Sequence, residues 1–343
     1  MKRLIYIAAA AAVVLGAAVA VVGALWYQDN RKPNFNKSYD LYVDPQTSAS
    51  DVVDSLVAND VVINLKSLDR TFKKENVADG IKPGHYVVSP SSPSIYVARM
   101  LTRGWQTPVN LTLSGTLRSK DRIATQISNQ MMLGYDEVYS AMYDKEFLAK
   151  YETDTLNLFG FFLPDSYQMY WTASVDDIFG RFKKEYDAFW TSDRQAKADA
   201  LGLTRNQVST LASIVSGETR AEKEFSKIAG VYLNRYKIGM RLQADPTVCY
   251  CYGYTLNRVL LKHLEIDSPY NTYKYAGLPP GPICTPGKAY LDAVLNPDKH
   301  GYMYFCASSS FDGTHDFAVT YDEHLRNARK FQAALTARNK ARQ

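Results

Sequence analysis

The chain has 343 residues, enough for more than one folded domain. With 46% hydrophobic and 22% charged residues it can bury a sizeable core, which excludes wholesale disorder. The formal net charge of +5 is spread out, with no dense Lys/Arg block, so the sequence argues against nucleic acid as a partner and supports only a weak preference for anionic surfaces.

Leu4 to Tyr27 is one uncharged apolar run. As a helix it reaches roughly 30 Å or more, enough to cross a bilayer. Lys2 and Arg3 precede it, and the positive-inside rule keeps residues 1–3 in the cytoplasm. Trp26 and Tyr27 suit the far interface. Ala18-Val19-Ala20 resembles a signal-peptide cleavage site, but the run continues well past it, which favours an uncleaved single-pass anchor in the inner membrane. Everything after about Gln28 is then expected in the periplasm. ATP- or NAD-dependent chemistry is disfavoured there, and neither G-x-x-x-x-G-K-S/T nor G-x-G-x-x-G occurs. No cofactor is expected.

Residues 28–38 are polar, contain Pro33 and read as a linker. From Tyr39 short strands and helices alternate: a strand at Leu41–Val43, a helix over Ser48–Asn59, a strand at Gly84–Val88, a helix over Pro93–Leu101 with Gly104 as its C-cap, and a strand at Val109–Leu113. Residues 39–113 thus form a small α+β module of LysM-like character. Residues 114–200 read as a helical connector, with helices over Ser119–Met132 and Val175–Thr191, a loop holding Gly160–Tyr167 between them, and a polar helix at Gln195–Ala200.

Residues 201–343 read as an α+β catalytic domain. Thr204 and Gln207 form a capping box that starts a helix. Val208, Leu211, Ala212 and Val215 fall on one face, and Glu218 lands within that arc, with Ser216 and Gly217 outside it. A carboxylate on an apolar face needs a partner or a cleft. Desolvation raises its pKa, as a general acid near neutral pH requires. The plainer reading is a helix-terminal Glu bonded to Arg220 or Arg235. The next helix, Ala221–Tyr236, buries Phe225, Ile228, Ala229, Tyr232 and Leu233, and Gly239 ends it. Asp245-Pro246 is a turn signal. Tyr270-Asn271-Thr272-Tyr273 and Gly277 to Pro282 must be rigid loop, serving as a sugar-binding wall or a structural corner.

The 25 tyrosines either stack on sugar rings or are simply favoured surface and strand residues. Cys249, Cys251, Cys284 and Cys306 fit no structural zinc pattern, and His263, His300, His315 and His324 show no ligand spacing, so no metal site is expected. His315 and His324 read as loop and helix residues. The even cysteine count permits disulfides outside the cytoplasm, but four small hydrophobes is the simpler reading.

Four long stretches carry a resemblance: LASIVSGET (Leu211 to Thr219), VYLNRYKIGMRLQADPTV (Val231 to Val248), YNTYKYAGLPPGPI (Tyr270 to Ile283) and YMYFCASSSFDGTHDFAVTYDEH (Tyr302 to His324). In that order they resemble the YceG-like (MltG) family of endolytic murein transglycosylases, and GFFLPDSY (Gly160 to Tyr167) looks like a looser family element. The resemblance implies a single-pass anchor, a LysM-like module and a catalytic domain. It implies non-hydrolytic cleavage between N-acetylmuramic acid and N-acetylglucosamine inside a strand, giving 1,6-anhydro ends and terminating nascent strand elongation. The family's catalytic glutamate maps to Glu218. Where relatives often read E-K-E-T, this chain has Ser216-Gly217-Glu218-Thr219, which leaves Glu218 as the sole acid of the motif.

Glu218 is accordingly the expected acid and base. Asn234, Gln243 and Asn271 are expected to hydrogen-bond substrate, and Tyr270 and Tyr273 to stack on sugars. Arg235 is expected to orient Glu218 or meet a lactyl or peptide carboxylate. Asp245 either caps the Asp-Pro corner or faces Glu218, which would permit a hydrolytic muramidase. The expected partners are peptidoglycan glycan strands, the inner membrane and peptidoglycan synthases. A non-catalytic peptidoglycan-binding scaffold is the alternative from another functional class.

Overall fold

The computed structural model describes residues 2–341. They form a helix-rich α+β protein in which each sheet has two strands. The apolar run folds as α1 (Lys2–Asn30), whose best 18-residue window has a mean hydropathy of 2.6. No residue of that window is buried. A helix of this length and exposure is consistent with a single-pass membrane anchor.

The chain divides into two compact units, Met1–Leu111 with Gln168–Ala173, and Thr112–Tyr167 with Ser174–Gln343. In the first, β1 (Tyr39–Val43) pairs antiparallel with β2 (Gly84–Val88), setting Leu41 opposite Tyr86. Alternation sends Leu41 and Val43 inward. There they meet Val52 and Leu56 of α2 (Ala49–Ala58), Leu68 of α3 (Leu65–Lys74) and Leu101 of α4 (Ser94–Arg103). Ser48 and Asp51 close a capping box on α2, and α4 ends on Gly104 at φ +68°. The sequence reading had no counterpart for α3, because its buried face uses Ser67 and Thr71 beside Leu68 and Phe72. Those hydroxyls are satisfied: Ser67 Oγ donates to Asp29 Oδ1 at 2.7 Å and Thr71 Oγ1 to Leu68 O at 2.8 Å.

Residues 28–38 are held down rather than free. Helix α1 runs on to Asn30, Asp29 is gripped by Arg70 through two bonds of 2.6 and 3.0 Å, and Asn34 and Phe35 are buried. This polar stretch looked like a tether because its partners lie 38 to 41 residues away.

Strand β3 (Val109–Leu113) carries the chain into the second unit. The stretch expected as one loop holds three short helices, Tyr135–Ala141, Lys145–Ala149 and Leu158–Phe161, and then β4 (Asp165–Met169). Elements of four to seven residues are too short to show periodicity. Phe162 packs edge-on to Phe179 and Phe182 of α5 (Val175–Phe189). The core of the unit is built by α6 (Arg205–Glu218), α7 (Phe225–Lys237) and α9 (Lys288–Leu295), through Leu211, Val215, Ile228, Tyr232, Leu291 and Val294. Between α7 and α9 lies α8 (Asp245–Cys251). The hairpin of β5 (Tyr304–Ala307) and β6 (His315–Ala318) is antiparallel, and α10 (Tyr321–Lys340) follows it. His315 belongs to this strand, not to a loop.

Candidate active site

Helix α6 begins with the Thr204–Gln207 capping box and ends on Glu218, after which Thr219 is extended. Gly217 lets that end come close to α8: a Cβ there would lie 2.6 Å from Pro246 Cβ. Asp245 is therefore not in a turn but is the first residue of α8, where a carboxylate favours the helix N-terminus. Ser216, expected to face outward, is buried and lies 3.3 Å from Cys284 Sγ.

Glu218 is half-buried, and its partner is neither Arg220 nor Arg235. The Tyr232 hydroxyl, from the buried face of α7, donates to Glu218 Oε1 at 2.5 Å. Burial raises the Glu218 carboxyl from the usual carboxylate range to about 7. The Tyr232 hydrogen bond opposes the rise, the charge of Asp245 adds to it, and the charge of Arg235 opposes it. The same burial, with Glu218 beside it, pushes the Tyr232 phenol well up, so it stays a donor.

Two cavities meet at Glu218. A small one of about 150 Å³ is also lined by Arg118, Asp245, Cys249, Tyr254 and Ile283. A larger one of about 670 Å³ is lined by Thr219, Arg220, Ser308, His315 and Arg338 as well. A protonatable carboxyl in the wall common to two cavities can act on a bond of a chain that runs from one to the other.

The remaining sequence-predicted residues divide. Tyr273 reaches Asp245: its hydroxyl donates to Asp245 Oδ1 at 2.6 Å, and both burial and the Asp245 carboxylate raise its pKa. Gln243 is exposed, holds a left-handed φ of +51°, and is fixed by its N–H bond to Thr272 O at 3.1 Å. Arg235 is buried, with Nε on Met303 O at 2.6 Å and Nη1 on Leu242 O at 2.5 Å, so it shapes the field at Glu218 without reaching a ligand. Asn234 donates both amide protons, to His300 O and Tyr302 O, and anchors that loop. Tyr270 is a core residue, its ring 4.6 Å from that of Tyr250. Asn271 is fully buried, donating to Leu264 O and Ile266 O at 2.8 Å each while its Oδ1 accepts from Tyr273 N.

The structural role of Asn271 makes a direct prediction. Asn271→Ala should lower unfolding free energy by about 1–3 kcal/mol, since two half-buried carbonyls and one N–H lose their partner. Thermal denaturation would show a lower midpoint. An unchanged midpoint with a raised KM would restore Asn271 as a substrate contact.

Sequence reasoning did not place Tyr232 in the site, although a phenol on the buried face of a helix needs an acceptor, and that signal points to it. It also missed the buried Glu224, which takes both His315 Nδ1 at 2.8 Å and His315 N at 3.0 Å and so fastens the β5–β6 hairpin to the start of α7. All four cysteines are unpaired thiols, Cys284 buried and the others half-buried.

The family model described as the YceG-like family matches residues 41–330. An endolytic murein transglycosylase of Bacillus subtilis is 31% identical over 304 residues, which are 83% of this chain and 82% of that protein. One of Streptococcus pneumoniae is 26% identical over 208 residues, 58% of this chain and 36% of that longer protein. A crystal structure of a yceG-like protein of Listeria monocytogenes superposes with a TM-score of 0.58 at 28% identity, covering 84% of this chain and 98% of that one.

Proposed function

The chain belongs to the YceG-like family, and from that premise we infer that it is an endolytic murein transglycosylase, cleaving peptidoglycan glycan strands with Glu218 as acid and then base. The observation that carries the assignment of Glu218 is its place: one carboxyl, lifted by burial to about 7, in the wall between two cavities.

A carboxyl with a pKa near neutrality both gives and takes a proton readily. In the first step Glu218 protonates the glycosidic oxygen between N-acetylmuramic acid and N-acetylglucosamine as the C1–O bond breaks. In the second, the carboxylate takes the proton of the muramic C6 hydroxyl, whose oxygen closes on C1. The product is a 1,6-anhydro end, no water is consumed, and the acid is regenerated. The nucleophile belongs to the substrate, so its proximity is built in. Tyr232 occupies Oε1 and leaves Oε2 to the sugar.

Asp245 supports a second reading, because it lines the small cavity with Glu218. A hydrolase would use it to activate water across the sugar. Digestion of purified strands by the full chain in detergent separates the two by mass: an anhydro end is one water lighter than a reducing end. For the transglycosylase, Asp245→Asn should keep activity within about tenfold and move its alkaline limit to lower pH, because the Asp245 charge helps hold the Glu218 carboxyl up. For the hydrolase the same change should cost about 10²–10⁴-fold. A scaffold without catalysis predicts bound strands and no new ends.

With α1 as anchor, Lys2 and Arg3 favour a cytoplasmic N-terminus, with the residues that follow α1 in the periplasm. The first unit serves as a LysM-like glycan grip. A groove of about 420 Å³ supports that role, lined by Val53, Asp54, Asp69, Phe72 and Lys73 on α2 and α3. Peptidoglycan synthases, which make the strands, are the fitting partners.

A further inference from the structure

We propose that the larger cavity at Glu218 is a subsite for the stem peptide of the substrate, and that Arg220 and Arg338 read its carboxylates. The proposal rests on the transglycosylase reading and names the part of the strand each side of Glu218 receives.

The two cavities differ too much to hold the same group. The space of about 150 Å³ beside Asp245 suits part of one sugar, whereas the space of about 670 Å³ on the other side has room for a sugar and the peptide it carries. Peptidoglycan bears peptides on the lactyl groups of alternate sugars, so the strand itself has a bulky and a slim partner at every bond. The bulky one belongs in the larger cavity.

The charges there agree. A stem peptide is rich in carboxylates, whose natural partner is a guanidinium fork. Arg235 is already spent on the carbonyls of Leu242 and Met303. Arg70, Arg99, Arg181 and Arg194 are the arginines in ion pairs among the described residues, and each lies outside this cavity. Arg220 and Arg338 line it and form no ion pair among the described residues. Of the acids present, Asp312 is a carboxylate whose Oδ1 accepts from Thr314 N and Thr314 Oγ1, and the Glu218 carboxyl is neutral in its acid form, so two guanidinium charges face one carboxylate charge. His315 is paired with Glu224.

The mount of Arg338 is specific. Its guanidinium lies 4.6 Å from the centre of the Phe311 ring, and that ring packs on Phe331 of α10, centres 5.7 Å apart. Phe311 holds a left-handed φ of +57° at the hairpin tip, a conformation that a bulky residue adopts only when its surroundings insist. Stacking on the ring face leaves the N–H edges of the guanidinium free to donate. Arg220 stands two residues beyond Glu218 and is exposed, whereas Arg338 comes from α10.

The test compares peptide-bearing strands with free carboxylates against the same strands after conversion of those carboxylates to amides. Full chain in detergent is used, as wild type, R220Q, R338Q and the double variant, with kcat/KM read from new strand ends. Wild type should prefer the free-carboxylate strands by about 10–100-fold, the range of a charge-assisted bidentate contact. The double variant should lose that preference, falling on free-carboxylate strands while changing less than about threefold on amidated ones. R220Q, at an exposed side chain, should show part of the effect without disturbing the fold. A wild type indifferent to amidation overturns the proposal alone, as do variants that slow both strands alike or neither. A wild type that makes no new ends on either strand overturns the reading of Glu218 on which the proposal stands.

Discussion

Glu218→Gln is expected to abolish strand cleavage, with kcat down by at least about 10³-fold, in a protein that still folds. Glutamine keeps the size of the side chain and an oxygen to accept from Tyr232, so the end of α6 should keep its packing. What disappears is the proton that sits on the carboxyl at pH values up to about 7. The wild-type rate should itself fall as pH rises through about 7, because the first step needs the protonated form. Stability should move in a linked way. The folded carboxyl holds its proton to about 7 while the unfolded one releases it near its ordinary 4.5, so its contribution is fully present below 4.5 and is lost as pH rises through 7. The variant lacks that loss. Its thermal midpoint should gain on wild type between pH 4.5 and 7.5, which scanning calorimetry at the two values would reveal. New anhydro ends from the variant would remove Glu218 from the mechanism.

Tyr232→Phe should give the second-largest effect, a fall of about 10–100-fold in kcat with little change in KM. The phenol donates a hydrogen bond to Glu218 Oε1, and it lies on the buried face of α7. Phenylalanine fills the same space and removes only the donor. Since that bond lowers the carboxyl's pKa, losing it pushes the group above about 7. The alkaline limb of the pH–rate profile should therefore shift upward while the plateau drops, because the carboxylate needed as base in the second step loses its stabilising contact. A fall of equal size with an unmoved limb would mean that Tyr232 serves packing alone.

How much of this was legible follows from where each signal lives. The α6 helix and the position of Glu218 could be read because a capping box and a 3.6-residue period are local patterns. The strands β1 and β2 and the helices α2 and α4 were legible for the same reason, through alternation and glycine at a C-cap. The side-chain roles around the site were not local. Asn234 chooses carbonyls 66 and 68 residues downstream, and Asn271 chooses two in the loop just before it, so nothing in either motif separates a ligand contact from a structural knot. Tyr270 went into the core because Tyr250 supplies an aromatic neighbour from α8. Helix α3 hid because a serine and a threonine line its inner face, each paid for by a hydrogen bond that no hydropathy pattern records.

The grip of Arg70 on Asp29 makes the end of α1 and the first unit a single stiff post. A leash of the same eleven residues would let the rest of that unit roam about the helix end.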